Sequence, residues 1–364
     1  MSYQSIDQIQ RALADTSFSN RLDKKKAAGR ALGLLLELIT FYLLKANGLE
    51  HNIAIERSVL EYANSEIGHN VEFTLHSGKT LKVIQAENHR LTAKKIQQKL
   101  EPEYQNFILK NEVPIKNDTI RNASVVLESQ DASRMIVAYP DASSESAEVH
   151  ELRTLPFAMF ECKRVGIEEG MKKGPQTIEK AKQGAYVART ASKLQKIRRS
   201  DGVQMGVLER DDGTFQIDEY DSMLEHITQQ RALLDGVVVT VGVISDHGNW
   251  FSAQKQNKET KVLAESYDWL LFLTDEGLSE FIKDTLDGGD PSMSECRNAF
   301  IASTRKEQKF TKKELSKKAD EELTKYFIKN NDKILQWFNV ITPYEGRIEN
   351  LFEQLIQLSK REEI

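Results

Sequence analysis

The stretch Leu155-Pro156-Phe157-Ala158-Met159-Phe160-Glu161-Cys162-Lys163 decides the fold of this chain. Its apolar first part, bounded by polar segments, predicts a buried β-strand. Side chains alternate across a strand, so Glu161 and Lys163 point to one face and Cys162 points to the other. Burying either charge alone would be costly. A carboxylate and an ammonium at the end of a core strand therefore indicate a site that holds a metal ion and a reacting water.

Two further β-strands are predicted upstream of this run. Ala123–Ser129 and Arg134–Tyr139 have strand-like composition, and the short polar segment 130–133 between them predicts a hairpin. The polar stretch 141–153 that follows is long enough to turn the chain back. We therefore expect the Glu161 strand to lie antiparallel beside Arg134–Tyr139.

This expected pairing selects an acidic neighbour for Glu161. Residues equidistant from a turn face each other in an antiparallel pair, and the midpoint of Asp131 and Glu161 falls in the polar stretch 143–146. Asp131 is therefore the favoured neighbour. Asp141, which follows a proline, is the alternative, although its pairing with Glu161 requires residues 142–149 to form a strand.

An acidic residue at the start of one strand, followed by Glu-x-Lys at the end of the next, resembles the PD-(D/E)XK nuclease superfamily, in particular type II restriction endonucleases. The resemblance covers about residues 120–200. It implies that Asp131 or Asp141, together with Glu161, binds Mg²⁺. The Cys162 carbonyl would supply another of the oxygen ligands that suit this ion. Lys163 would orient or deprotonate the attacking water and stabilise charge on the scissile phosphate.

The chain departs from the family pattern at one position, because no proline precedes Asp131. The superfamily fold also requires a helix after the Glu-x-Lys strand. Pro175 and small apolar residues at helical spacing predict one from Gln176 to Ile197. Many related nucleases place an acidic residue from an early helix near the metal ion, and the candidates for that role are Glu37, Glu56 and Glu61.

The charge distribution indicates a site for a polyanion. Residues 161–200 contain eleven Lys and Arg against four Glu, in a chain whose net charge is −5. Such a basic block suggests contacts with nucleic-acid phosphates, and the alternative is a solvated helix face. The candidate phosphate contacts are Lys172, Lys173, Lys193, Lys196, Arg198 and Arg199.

Composition sets the limits on the class of protein. A chain of 364 residues with 40% hydrophobic content can bury one large core or two modest ones. Two cysteines, Cys162 and Cys296, provide neither a disulfide framework nor a cysteine-rich zinc site, so a cytoplasmic location is expected. The apolar stretch 32–44 is too short to cross a bilayer. The histidines show neither His-x-His nor His-Glu-x-x-His spacing, so a histidine-metal nuclease is not expected.

The order of the elements predicts an α/β protein with a restriction-endonuclease-like mixed sheet flanked by helices. Region 1–118 is expected to be mainly helical, with helices at 22–46 and 53–65 and a small hairpin at 72–84. Region 119–275 would form the nuclease core. Region 276–364 would be a helical addition.

These features predict a type II restriction endonuclease that depends on Mg²⁺ and acts as a homodimer on double-stranded DNA. The resemblance further implies products with 5′-phosphates. Neither a membrane nor a nucleotide cofactor is expected as a partner. Two alternatives remain open: a structure-specific repair or phage-type nuclease of the same fold, and a non-catalytic DNA-binding protein with a decayed nuclease fold.

Overall fold

The computed structural model describes residues 6–15, 22, 24–141, 145–165, 176–229, 236–246, 250–287, 289–304 and 310–360. The helices are α1 (Ile6–Asp15), α2 (Lys24–Leu44), α3 (Ala93–Lys99), α4 (Gln176–Ala191), α5 (Tyr220–Gln229), α6 (Lys258–Ser266), α7 (Asp275–Thr285), α8 (Ser294–Thr304), α9 (Lys317–Lys329), α10 (Asn331–Leu335) and α11 (Ile348–Ser359). The strands are β1 (Ile53–Ile55), β2 (Ser58–Glu61), β3 (Asn64–Asn70), β4 (Phe73–Leu75), β5 (Gly78–Gln85), β6 (Arg90–Leu91), β7 (Ile108–Leu109), β8 (Ile115–Lys116), β9 (Thr119–Arg121), β10 (Ser124–Glu128), β11 (Arg134–Pro140), β12 (Ser146–Arg153), β13 (Ala158–Arg164), β14 (Leu194–Arg198), β15 (Gln204–Glu209), β16 (Phe215–Glu219), β17 (Val239–Ser245), β18 (Trp269–Leu273), β19 (Glu314–Ser316) and β20 (Phe338–Thr342).

The central sheet has the strand order β1-β4-β13-β17-β18-β20. Strand β4 is antiparallel to both β1 and β13, whereas β13, β17 and β18 run parallel to one another. Strand β20 completes the sheet antiparallel to β18. The predicted α/β class with a mixed sheet is therefore confirmed.

Helices cover both faces of this sheet. Helix α2 packs on one face, where its leucines share a core with Phe160, Val241 and Val243. Helix α4 packs on the other face, where its alanines share a second core with Ile244 and Leu270. Every residue of β17 and β18 is buried as a result, which explains why β18 is a continuous apolar run and why the polar residues of β17 are only the small Thr240 and Ser245.

Helix α2 belongs to the protein core. The apolar stretch Ala27–Asn52 is long and apolar enough to cross a membrane, but 78% of its most apolar window is buried inside the protein. Such burial is expected for the core helix of a soluble protein. The predicted helix at 22–46 is confirmed with slightly shorter bounds.

A second sheet, with the strand order β5-β12-β11-β10-β7, is inserted in the chain between β4 and β13. It contains the predicted hairpin, formed by β10 and β11. The stretch predicted to turn the chain back forms β12 instead, and β12 pairs antiparallel with β11. Strand β13 pairs with β4 and β17, so the prediction that the Glu161 strand lies beside Arg134–Tyr139 is wrong.

The polarity of β12 made it resemble a loop in the sequence. Its polar residues Ser146, His150 and Glu151 are buried nonetheless. Glu151 accepts a hydrogen bond from the Tyr104 hydroxyl at 2.9 Å and from the Arg134 guanidinium at 2.8 Å. A buried polar residue with partners costs little, whereas the sequence alone does not reveal those partners.

The helix predicted at 53–65 is also wrong, because this segment forms β1, β2 and the start of β3. Glu56 and Ala63 adopt left-handed backbone conformations, with φ of 51° and 59°, which interrupt a helix. The β-branched Ile53 and Ile55 are buried in the central sheet. The strands of the predicted hairpin at 72–84 are present as β4 and β5, but they lie in different sheets.

Helix α4 begins at Gln176 as predicted and ends at Ala191 instead of Ile197. The Ser192 hydroxyl accepts hydrogen bonds from the backbone N–H groups of Leu194 and Val238, each at 3.2 Å, and these bonds favour the turn into β14. The predicted helical tail is interrupted as well, since it supplies β20 to the central sheet. Strands from all three predicted regions therefore meet in one sheet.

Candidate active site at the end of the central sheet

Glu161 and Lys163 lie where β13 extends beyond the end of β4. Strand β4 pairs only with residues 158–160 of β13, whereas β17 pairs with 158–164. The Glu161 side chain is 7% exposed, and its Oε1 atom lies 2.6 Å from the Lys163 ammonium. Cys162 points to the opposite face, where its thiol donates to the Thr40 hydroxyl of α2 at 3.4 Å. The predicted placement of the pair on one face is confirmed.

Gly184 brings the backbone of α4 against Glu161. A Cβ atom built on Gly184 would lie only 2.4 Å from the Glu161 Cβ and 3.1 Å from the Tyr267 hydroxyl. Any residue with a Cβ atom at position 184 would therefore displace the Glu161 side chain. Helix α4 thus fixes the position of Glu161 from above the sheet.

We predict opposite outcomes for two Gly→Ala substitutions in helices. In Gly184→Ala, the clash outweighs the better helix propensity of alanine, and stability falls by about 1–3 kcal/mol while Glu161 is displaced. In Gly33→Ala on α2, nothing lies within 4 Å of the new Cβ, so stability rises by about 0.5–1 kcal/mol. Urea unfolding of both variants measures the difference. Equal stabilisation by both substitutions would contradict this close approach.

Glu72 is the acidic neighbour of Glu161. The register of β4 and β13 pairs Thr74 with Met159 and Phe73 with Phe160. One further step of this register places Glu72 opposite Glu161. The two carboxylates repel each other when both are ionised, and Glu72 adds to the effect of burial in raising the pKa of Glu161.

A buried ammonium and two further carboxylates complete the cluster. The Lys312 Nζ atom lies 2.9 Å from Glu37 Oε2 and 2.9 Å from Glu56 Oε1, and it also pairs with Glu72. The Lys312 side chain is only 7% exposed. Glu37 comes from α2 and Glu56 follows β1, so separate elements converge on one cation. We call Glu37, Glu56, Glu72 and Glu161 the acidic cluster.

Burial and neighbouring charges shift the pKa values of Glu72, Glu161 and Lys163. Burial and the neighbouring Glu37 carboxylate raise the pKa of Glu72. Burial also raises the pKa of Glu161, in spite of the Lys163 ammonium. Lys163 is less buried, so the Glu161 and Glu72 carboxylates outweigh its desolvation and its pKa is raised too. Ionising Glu72 and Glu161 is therefore less favourable than ionising an exposed carboxyl group, whereas Lys163 is protonated at neutral pH.

Asp131 and Asp141 do not join this cluster. Asp131 lies exposed in the turn between β10 and β11, where it accepts hydrogen bonds from the Ser129 hydroxyl at 2.6 Å and the Ser133 hydroxyl at 2.8 Å. These bonds lower the pKa of Asp131 to about 2. Asp141 is exposed at the end of β11, in the second sheet. Neither residue lies beside Glu161 as predicted, because β11 pairs with β12 and not with β13.

The described candidates for phosphate contacts lie on β14 or directly next to its ends, each beside a partner. Lys172 and Lys173 lie outside the described residues. The ion pairs are Lys193 with Asp211 at 3.2 Å, Arg198 with Glu265 at 3.0 Å and Arg199 with Asp201 at 2.8 Å. The Lys196 ammonium lies 4.4 Å from the centre of the Tyr220 ring, and burial lowers its pKa. Their role in binding DNA stays a prediction.

Sequence reasoning found some of the cluster and missed the rest. Glu161 and Lys163 were marked by their position after an apolar run, and Glu37 and Glu56 were named as candidates. Glu61 pairs with His69 at 3.5 Å instead. Glu72 and Lys312 were missed, although Glu72 precedes the apolar residues of a predicted strand. That signal, an acidic residue at the start of a strand, was available in the sequence.

The donor atoms of the acidic cluster are carboxylate oxygens, the ligand type that Mg²⁺ prefers. The Lys312 ammonium already pairs with three of these carboxylates. A different donor set lies beside the second sheet, where His51, Glu148 and His150 are close enough to one another to hold a metal ion.

Comparisons of the chain with protein-family models, with curated proteins and with solved structures found no match.

Proposed function

We propose that this protein is a Mg²⁺-dependent endodeoxyribonuclease of the PD-(D/E)XK type, most consistent with a type II restriction enzyme that leaves 5′-phosphates. The observation that carries the proposal is the register that sets Glu72 opposite Glu161, with Lys163 two residues further along β13. An acidic residue at the start of one strand and Glu-x-Lys at the end of its antiparallel neighbour form the pattern that the sequence resembled. Glu72 takes the role expected of Asp131.

The ligands of the ion would be Glu72 and Glu161, with Glu37 reaching the same region from α2. The Cys162 carbonyl stays a predicted ligand. A bound Mg²⁺ would supply Lewis acidity and lower the pKa of a coordinated water. Burial raises the pKa of Glu72 and Glu161, and a neighbouring carboxylate adds to this effect at each of them. A bound cation would stabilise both ionised carboxylates, which supports this assignment.

Lys163 would act as a cation. Its ammonium is protonated at neutral pH because the Glu161 and Glu72 carboxylates stabilise the charged form. In that state it donates hydrogen bonds to an attacking water or a phosphate oxygen and stabilises negative charge on the phosphorus centre. Its 36% exposure leaves it accessible to a substrate while Glu161 is buried below it.

Double-stranded DNA is the proposed partner, approached by the end of the central sheet where β13 is longer than β4. Lys193, Lys196, Arg198 and Arg199 on the β14 sheet are proposed to contact phosphates, and each would exchange its acidic or aromatic partner for DNA. A homodimer in the cytoplasm fits a two-fold symmetric DNA site, since a symmetric protein matches a symmetric sequence.

Incubation of the purified protein with phage-length DNA, in Mg²⁺ and in EDTA, tests this proposal. We expect discrete fragments in Mg²⁺ only, and loss of cleavage by about 10³-fold in Glu161→Gln and Lys163→Met proteins that remain folded by circular dichroism. A smear of products, or cleavage only at branched DNA, would indicate a repair or phage-type nuclease. Metal-independent DNA binding without cleavage by the wild type would favour a non-catalytic DNA-binding protein.

A further inference from the structure

Three potential metal ligands meet beside the second sheet, away from the acidic cluster. His51 lies in the helical turn Glu50–Asn52 that follows α2. Glu148 and His150 are two residues apart on β12, so they lie on the same face of that strand. One donor atom from each residue lies within 4.8 Å of the other two. The fold therefore brings a His₂Glu donor set together from two distant segments.

The distances from the two histidines to Glu148 match those of a tetrahedral metal centre. The Nε2 atoms of His51 and His150 lie 3.4 Å and 3.3 Å from one and the same oxygen, Oε2 of Glu148. Ligand bonds of about 2.0–2.1 Å at tetrahedral angles separate two donors by about 3.3 Å. The two imidazole rings are stacked with centres 4.4 Å apart and planes inclined by 26°. Both rings thus direct one nitrogen towards the same carboxylate.

Neighbouring groups hold the two rings in place. The Thr80 hydroxyl lies 3.4 Å from the Nδ1 atom of His150, which leaves Nε2 directed at Glu148. The Tyr139 ring contacts both imidazoles edge-on, at 5.4 Å and 5.2 Å between ring centres. Tyr139 is itself fixed, because its hydroxyl donates to the Ile53 carbonyl at 3.0 Å. Polar partners of this kind orient metal-binding histidines.

The His150 side chain is 5% exposed, so the cluster is anchored at one buried ligand, while His51 and Glu148 lie nearer the surface.

The cluster opens onto a cleft of about 510 Å³. His51 and Glu148 line this cleft and are 35% and 40% exposed. Tyr139, Lys45 and Asp320 lie in the same wall. A metal ion held by three protein ligands would therefore have room for a water or another small ligand from the cleft, which distinguishes an open centre from a closed structural one.

We propose that His51, Glu148 and His150 form a binding site for a divalent transition metal of the Zn²⁺ class, with its remaining coordination position open to this cleft. Two imidazole nitrogens and a carboxylate select such an ion, whereas the all-oxygen acidic cluster suits Mg²⁺. The site joins the end of α2 to the second sheet. It does not depend on the proposed nuclease activity, since no residue is shared between the two clusters.

Zn²⁺ titration of the full chain, with excess Mg²⁺ present to occupy the acidic cluster, tests this site. We expect the wild type to bind about one Zn²⁺, and affinity to fall by about 100-fold or more in His51→Ala and His150→Ala. His226→Ala is the matched control, because His226 is exposed on α5 and belongs to neither cluster. Thr80→Val, which removes only the orienting hydroxyl, should weaken binding about 10-fold.

Co²⁺ gives a second readout in the same proteins. Tetrahedral Co²⁺ absorbs strongly in the visible range, so we expect a visible band from the wild type and His226→Ala and none from His51→Ala. His51 is partly exposed, so its substitution separates loss of a ligand from loss of folding. The proposal is overturned if the wild type binds no more Zn²⁺ than His51→Ala, or if the band persists in that variant.

Discussion

Glu72→Gln is expected to abolish Mg²⁺-dependent DNA cleavage, with a loss of about 10³-fold, while Asp131→Asn keeps wild-type activity. Glu72 lies opposite Glu161 at the end of the central sheet, whereas Asp131 lies in an exposed turn of the second sheet. Glutamine preserves the size of Glu72 and removes the charge that would bind the ion. Loss of Lewis acidity at the metal is worth several kcal/mol, which is the basis of the expected factor.

This pair of variants separates the two placements of the first acidic residue. Cleavage rates at several Mg²⁺ concentrations, with thermal unfolding of each protein as the folding control, provide the measurement. If a substitution weakens metal binding without abolishing it, cleavage will require a higher Mg²⁺ concentration than in the wild type. An active Glu72→Gln protein beside an inactive Asp131→Asn protein would reverse the assignment and refute the metal site proposed at Glu72.

Lys312→Met is expected to destabilise the protein by about 3–5 kcal/mol in the absence of divalent cations. Lys312 is buried and pairs with Glu37, Glu56 and Glu72, so its removal leaves the largely buried Glu72 and Glu37 carboxylates, 12% and 24% exposed, without this cation. Urea unfolding in EDTA measures the loss. Lys325→Met provides the matched control, since the Lys325 ammonium is 74% exposed in a surface pair with Glu321 and should contribute less than about 1 kcal/mol.

Mg²⁺ should restore much of the stability that Lys312→Met loses. In the wild type an incoming ion shares the carboxylates with the Lys312 ammonium, whereas in the variant it meets them without a competing cation. The rise in melting temperature on adding Mg²⁺ is therefore expected to be larger in Lys312→Met than in the wild type. An equal rise in both proteins would mean that the ion and the ammonium do not share a site.

The local part of the site was predictable because strand geometry is local. A continuous apolar run marked β13, and side-chain alternation placed Glu161 and Lys163 on one face whatever the neighbours of the strand. The β10–β11 hairpin and the helix after β13 were predictable for the same reason, since short turns and helical periodicity lie within a few residues. The α/β class followed from the order of these elements.

Pairing between distant segments was not predictable in this way. The expectation that β13 follows β11 in the sheet assumed that consecutive strands are neighbours, but β12 is polar and its burial depends on Tyr104 and Arg134. An entire second sheet separates β4 from β13 along the chain. Because the wrong neighbour was assigned to β13, Asp131 was predicted opposite Glu161, where the structure places Glu72.

The sequence by itself determined that a buried strand ends in a carboxylate and an ammonium on one face, that helices cover it, and that the protein is α/β. Only the tertiary structure decided that Glu72 faces Glu161, that Lys312 joins the acidic cluster, and that His51 meets Glu148 and His150. The physical reason is the range of the forces involved. Alternation and periodicity act between near neighbours, whereas a binding site depends on which distant groups satisfy one another's charges and hydrogen bonds on burial.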